Sequence, residues 1–262
     1  MLLLYSRNAP CVSAPARFSG DNAAPTVSCR AAQHAPLPGL EICQATATAS
    51  LRAAASLRAA AFYTYPEGRS EIAQKAHQRL KADTAWQELE DKLAGALAGW
   101  QGIQVACCIA TIRAEQDHEV VQALQATMDR SCQIPAEDNT SHPRIVIGSL
   151  DLNTGSQLPC EELQGSKPSG AAAQQGRSYL SNVCVASAAR RHGVAAAMIQ
   201  WACQYANLQG VQDLYVHVVT DNKAAQSLYC DTCGLDVEAM EEANLARALK
   251  RPRRLLLHRQ VK

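Results

Sequence analysis

The 262-residue sequence predicts an α/β (α+β) domain built on a mixed sheet. Three observations carry that reading. Apolar residues make up 47% of the chain against 19% charged, enough to fill a core. Short β-branched runs alternate with stretches of helical periodicity. The order strand, helix, strand, helix recurs through the last third of the chain, which sets strands side by side under covering helices. A formal net charge of +1 gives no generic electrostatic reason for a nucleic-acid or membrane-surface partner. Apolar runs such as Met1 to Leu4 fall well short of the ~20 residues of a spanning helix. The eleven cysteines are odd in number and several lie in apolar stretches such as Val105-Ala106-Cys107-Cys108-Ile109. Small buried thiols in a reducing compartment fit this pattern better than a disulfide framework.

Residues 1–60 hold two acids, Asp21 and Glu41, against Arg7, Arg17, Arg30, Arg52 and Arg58, among many Ala, Ser and Thr. Scarce acids with Arg and Ser are the composition of an organelle transit peptide, so 1–60 is expected to be disordered and outside the fold. An unstructured tail with no address is the alternative. The domain is then expected over 61–262.

Along that domain, Ile72, Ala76, Leu80, Trp86, Leu89, Leu93 and Leu97 recur at helical spacing and predict one or two amphipathic helices. Gln104 to Ile112 reads as a strand, Glu115 to Met128 as a helix, and Ser131 to Pro143 as a loop. A second strand is expected at Arg144 to Leu152, ended by the turn Asn153-Thr154-Gly155-Ser156. After a loop at 165–175 comes a strand, Tyr179 to Val185. A helix over Arg191 to Ala206 carries Val194, Ala197, Met198, Trp201, Ala202 and Tyr205 on one face. Leu214 to Val219 is a strand and Asn222 to Tyr229 a short helix, stopped by Gly234. Strands near Asp236 and over Arg254 to His258 complete the sheet.

Arg190-Arg191-His192-Gly193-Val194-Ala195 lies between a strand and a long helix. Such a turn aims unpaired main-chain N–H groups and the positive end of the helix dipole at one point, a nest for phosphate oxygens. A basic pair opening a surface helix is the plainer alternative. There is no G-x-x-x-x-G-K-[ST] and no full G-x-G-x-x-G after a strand, which disfavours a P-loop and a dinucleotide-binding Rossmann unit.

The stretch Tyr179 to Leu235 resembles the core of the GCN5-related N-acetyltransferases (GNAT). Arg190 through Ala195 matches the family's R/Q-x-x-G-x-G/A signature after the apolar strand Val183-Cys184-Val185. Asp221-Asn222-Lys223-Ala224-Ala225-Gln226-Ser227-Leu228-Tyr229 is similar to its N-x-x-A-x-x-L-Y helix. The long leader, the preceding helices and Leu158-Pro159-Cys160-Glu161-Glu162-Leu163 look most like plastid members from plants and green algae. The resemblance implies a mixed, mostly antiparallel sheet, splayed at an acetyl-CoA site and with helices on both faces. It implies acetyl-CoA as co-substrate, no metal, protein or peptide amines as acceptors, and a plastid address.

The resemblance also implies residue roles. Main-chain groups of Val183, Cys184 and Val185 pair with the pantetheine arm, and Arg190, Arg191, His192, Gly193, Val194, Ala195 and Ala196 hold the diphosphate. Asn222, with Lys223 and Ala224, contacts the cofactor, although Asn222 or Asp221 also reads as a helix cap. Tyr229 is the general acid for the departing thiolate. His217 and Tyr179 stand at the offsets that a water-relaying pair holds in N-terminal amine acetyltransferases, and Glu161 and Glu162 are further acceptor-side candidates. A lone histidine in an apolar strand also reads as structural. Small-molecule amine acetylation, of a polyamine or arylalkylamine, and a non-catalytic CoA-binding module remain as alternatives. Cys230-Asp231-Thr232-Cys233 has no second ligand pair for a zinc site. The run Lys250 to Arg254 reads as a solvated face or a contact to a cofactor phosphate.

Overall fold

The computed structural model describes residues 37–65, 68–116, 118–136, 142–155 and 176–261. Among the described residues, eight strands form one sheet: β1 (Glu41–Gln44), β2 (Gln104–Arg113), β3 (Gln133–Ile134), β4 (Arg144–Gly155), β5 (Arg177–Val185), β6 (Asp213–Val219), β7 (Asp236–Met240) and β8 (Arg254–Gln260). Their order is β1-β2-β4-β5-β6-β8-β7, with β3 beside the start of β4. Every pairing is antiparallel except β5 with β6. A parallel pair needs a crossover, and helix α4 (Val194–Leu208) supplies it.

Neighbouring residues of β4 point to opposite faces and show how the sheet is covered. A Cβ added to Gly148 would meet Met198 Cε of α4 at 2.8 Å, so α4 lies close on that face. Ser149 and Asp151 instead meet Arg58 of helix α1 (Thr48–Phe62), which covers the other face. The α4 side is hydrocarbon: Met198, Ile199, Trp201 and Ala202 are fully buried. Each large side chain there stabilises the fold by roughly 1.5–3 kcal/mol.

The expected boundary at residue 60 is corrected by this architecture. Strand β1 pairs with β2 from Glu41↔Thr111 to Gln44↔Cys108. Leu51, Ala53, Ala54 and Leu57 of α1 are core residues. Few acids and many alanines resemble a leader in composition, but here the small side chains let α1 lie close on the sheet and Arg58 is buried. The fold therefore begins by residue 37, and residues 1–36 lie outside the described residues.

Helix α2 (Glu71–Leu93) forms as expected, with Ser70 Oγ accepting from the Ala73 amide and Glu71 in its first turn. Its apolar stripe is not buried along its length: Leu89 is 1% exposed, whereas Ile72 is 83% and Leu80 61% exposed. Helix α3 (Glu119–Thr127) is capped by His118, whose Nδ1 accepts from the Val120 amide. Asn153 and Thr154 stay in β4, paired with both β2 and β5, and Gly155 still pairs with β5, rather than turning. The expected loop at 165–175 lies outside the described residues. Helix α5 (Lys223–Gln226) continues as a π-helical stretch, Ser227–Thr232, and α6 (Ala243–Ala248) joins β7 to β8.

Candidate active site

Strands β5 and β6 are paired over only three positions, Arg177↔Asp213, Ser178↔Leu214 and Tyr179↔Tyr215. Beyond Tyr179, β5 runs to Val185 and β6 to Val219 without pairing to each other. The sheet is therefore parted, and a cavity of about 940 Å³ lies along the end of β5. Val183, Cys184 and Val185 form one wall. The turn and first helical residues Arg190, Arg191, Gly193, Val194, Ala195 and Ala196 form a second. Ala224, Leu228 and Tyr229 form a third, and Ala61 and Phe62 at the end of α1 also line the cavity.

The second wall has a geometry that can receive an anion. Arg191 (φ 68°) and Gly193 (φ 75°) both take the left-handed conformation, which turns the chain sharply into α4. Among the described residues, no side chain caps α4. Its first-turn amides are thus left to a ligand, with the helix dipole adding partial positive charge. Alanines at 195 and 196 keep side-chain bulk away from those amides. Arg190 Nε donates to the Val185 carbonyl at 3.2 Å and ties this turn to the end of β5. A diphosphate fits the donor set, and the unpaired edge of β5 fits an extended amide-bearing chain.

Tyr229 sits in the π-helical stretch, where Cys233 N donates to Leu228 O at 3.0 Å, five residues back. Such widened turns occur frequently at functional sites, and this one sets Tyr229 on the cavity wall. Burial pushes the Tyr229 phenol up, so it is held as a neutral O–H donor. Across the parted strands, the Tyr179 hydroxyl and His217 Nδ1 are 3.0 Å apart, with ring centroids at 5.6 Å. Tyr179 is the last β5 residue paired with β6, and neither it nor His217 is on the cavity wall. Asn153 Nδ2 donates to the Tyr179 carbonyl and to Ser181 Oγ, both at 2.9 Å, and fixes the strand beneath it. Tyr215 stacks on His258, and burial with Glu238 and Asp213 nearby pushes its phenol up to about 12.

Some sequence-predicted residues lie elsewhere. Asn222 Oδ1 accepts from the Ala225 amide at 3.1 Å, so it caps α5; Asn222, Lys223 and His192 are not on the cavity wall. Glu161 and Glu162 lie outside the described residues. Cys230 and Cys233 are free thiols, and among the described residues no group of three His, Cys, Asp or Glu could hold a metal ion. The basic run is not simply a solvated face. Glu241 is fully buried and accepts from Arg251 Nη2 at 2.5 Å and from Arg254 Nη2 at 3.2 Å. Ala61 and Phe62 carry no signal in the sequence reading because the rest of their helix, Thr48 to Ala60, falls within the stretch read as leader. A leucine pair at 51 and 57 among alanines was the available signal.

This geometry is that of an acyl-CoA-binding fold, and the family described as "Acetyltransferase (GNAT) family" matches residues 53–235. The chain belongs to that family. Among curated proteins, it is 38% identical over 181 residues to GCN5-related N-acetyltransferase 7, chloroplastic, of Arabidopsis thaliana, covering 69% of this chain and 62% of that protein. It is 34% identical over 138 residues to GCN5-related N-acetyltransferase 6, chloroplastic, of the same plant, covering 51% and 42%. The chain thus spans less than two thirds of the length of these relatives. Among solved structures, Arabidopsis thaliana NAA60 in complex with acetyl-CoA shares the fold at a TM-score of 0.52 and 12% identity, covering 85% of this chain and 98% of that one.

Proposed function

We propose that the protein transfers the acetyl group of acetyl-CoA to protein N-terminal α-amines, with lysine side chains as a second class of acceptor. The observation that carries this reading is the Tyr179–His217 pair, hydrogen-bonded at the point where β5 and β6 part. In this reading the amides of Arg191 to Ala196 hold the diphosphate and the free edge of Val183 to Val185 holds the pantetheine arm. Tyr179 and His217 accept the acceptor's proton through a water, and an N–H of the β5 edge stabilises the tetrahedral oxyanion. Tyr229 donates its proton to the departing thiolate.

The chemistry favours the α-amine. Its pKa is about 7.7–8.0 against about 10.4 for lysine, so near pH 8 a lysine costs roughly 3 kcal/mol more to deprotonate. Direct transfer is supported by Cys184, whose thiol burial pushes up to about 12, leaving no thiolate to form an acetyl-cysteine. A plastid address is supported by the names of both Arabidopsis relatives and by the leader-like composition. The leader then ends before residue 37, where the fold begins.

Purified protein, acetyl-CoA and matched substrates test the acceptor: a peptide with a free N-terminus, the same peptide blocked and carrying one lysine, and spermidine. Faster acetylation of the free N-terminus is expected. Turnover on spermidine alone refutes the peptide acceptor, and CoA binding without any turnover refutes the enzyme. Tyr229→Phe is expected to lower kcat by about 10²–10⁴ with little change in the KM for acetyl-CoA.

A further inference from the structure

Helix α1 sends a charged side chain into the interior beside the parted strands. Arg58 is 4% exposed and Asp151 is fully buried. Arg58 Nη1 donates to Asp151 Oδ2 at 2.9 Å and Nη2 to Oδ1 at 2.5 Å, a two-pronged pair. Nε and Nη2 also donate to Ser149 Oγ at 3.1 and 2.8 Å. The same Asp151 Oδ2 accepts a third contact, from Asn182 Nδ2 at 2.8 Å.

Asn182 is where β5 departs from regular strand geometry. The register steps from Asp151↔Ser181 to Ser149↔Cys184, so two residues of β5, Asn182 and Val183, stand against Leu150. Asn182 has φ 54°, a left-handed conformation that costs an L-residue of order 1–3 kcal/mol unless its surroundings hold it. The next residues, Val183 to Val185, are the free edge on the cavity wall. A buried ion pair is weak grounds for stability, because desolvation offsets its attraction, but a satisfied buried network does fix one geometry.

We propose that Arg58 is a positioning residue: through Asp151 it holds Asn182 in the bulge and so aims the main-chain groups of Val183 to Val185 at the acyl donor. This rests on the reading that the donor lies along that edge.

Asn182→Ala keeps a Cβ and removes the amide anchor; Arg58→Lys keeps the charge and removes the two-pronged geometry. Each is expected to lower kcat/KM for acetyl-CoA by about 10- to 100-fold, because small misplacements near reacting atoms carry such losses. The acceptor KM is expected to stay within about twofold. Asn182→Gly, which adopts positive φ freely, is expected to recover part of the loss. Unchanged kinetics in folded Asn182→Ala overturn the inference whatever happens to its melting temperature, and that variant decides the matter should Arg58→Lys not fold. Wild-type turnover separates the two readings. If the wild type turns over no acceptor, acetyl transfer fails, and calorimetric affinity for CoA decides the positioning role. About tenfold weaker binding by Asn182→Ala supports it, by the same geometric argument, and equal binding overturns it.

Discussion

Helices α1 and α2 follow one another in the chain and reverse their apparent roles. The first has the composition of a leader, yet it buries Leu51, Leu57 and Arg58 and ends on the cavity wall at Ala61 and Phe62. The second has the periodic apolar spacing of a core helix, yet Leu89 is its one buried residue. Periodicity says which residues share a face; it does not say whether a neighbour exists to cover that face. Composition fails differently, because alanine is equally at home in an unfolded leader and where a helix backbone must approach a sheet closely.

The largest consequence concerns where the domain can be cut. A chain started at residue 61 loses β1 and nearly all of α1. Leu51 and Leu57 alone stand for about 3–6 kcal/mol of burial, a large part of the 5–15 kcal/mol that a domain has. The loss of Arg58 also leaves the Asp151 carboxylate buried without its cation. Protein 61–262 is expected to show no cooperative unfolding by circular dichroism in urea, whereas 37–262 unfolds cooperatively. A cooperative transition for the shorter chain would return α1 to the leader.

Next in size is a single truncation within α1. Leu57 is almost fully buried, so Leu57→Ala is expected to cost about 2–5 kcal/mol in urea titration. Phe62, 51% exposed on the cavity wall, tests the helix for function rather than stability. Phe62→Ala removes roughly 1 kcal/mol of apolar contact with a bound donor, about fivefold in the KM for acetyl-CoA. An unchanged KM would make α1 a purely structural element.

What could be read in advance follows from how local each determinant is. Arg190 to Ala195 was legible because an amide nest at a helix start needs small residues at fixed spacing, and the chain shows them within six positions. That Tyr179 and His217 meet was legible through the resemblance. The Arg58 network was not, because its partner Asp151 is 93 residues away and nothing local announces a buried arginine. The turn expected at Asn153 failed because ladders on both sides of β4 outweigh local turn chemistry. The π-helical turn at Tyr229 carries no residue signature, so the sequence predicted a helix there and not its widened form.

The smallest effect is expected on α2, and it bears most directly on periodicity. Ile72 and Leu80 lie on the stripe that should have been core, and both are exposed. Near Ile72, an ion pair between Lys75 and Glu71 at 2.6 Å is also solvent-facing and adds little to stability. Ile72→Ser and Leu80→Gln are therefore expected to shift unfolding by no more than about 0.5 kcal/mol, the range of ordinary surface substitutions. Leu89→Ala, on the same stripe but buried, is expected to cost about 2–5 kcal/mol. Because the three positions share one helix and one periodic pattern, the contrast isolates burial from propensity. A loss at Ile72 comparable to that at Leu89 would mean that the amino-terminal half of α2 is covered in solution, and that its stripe is core after all.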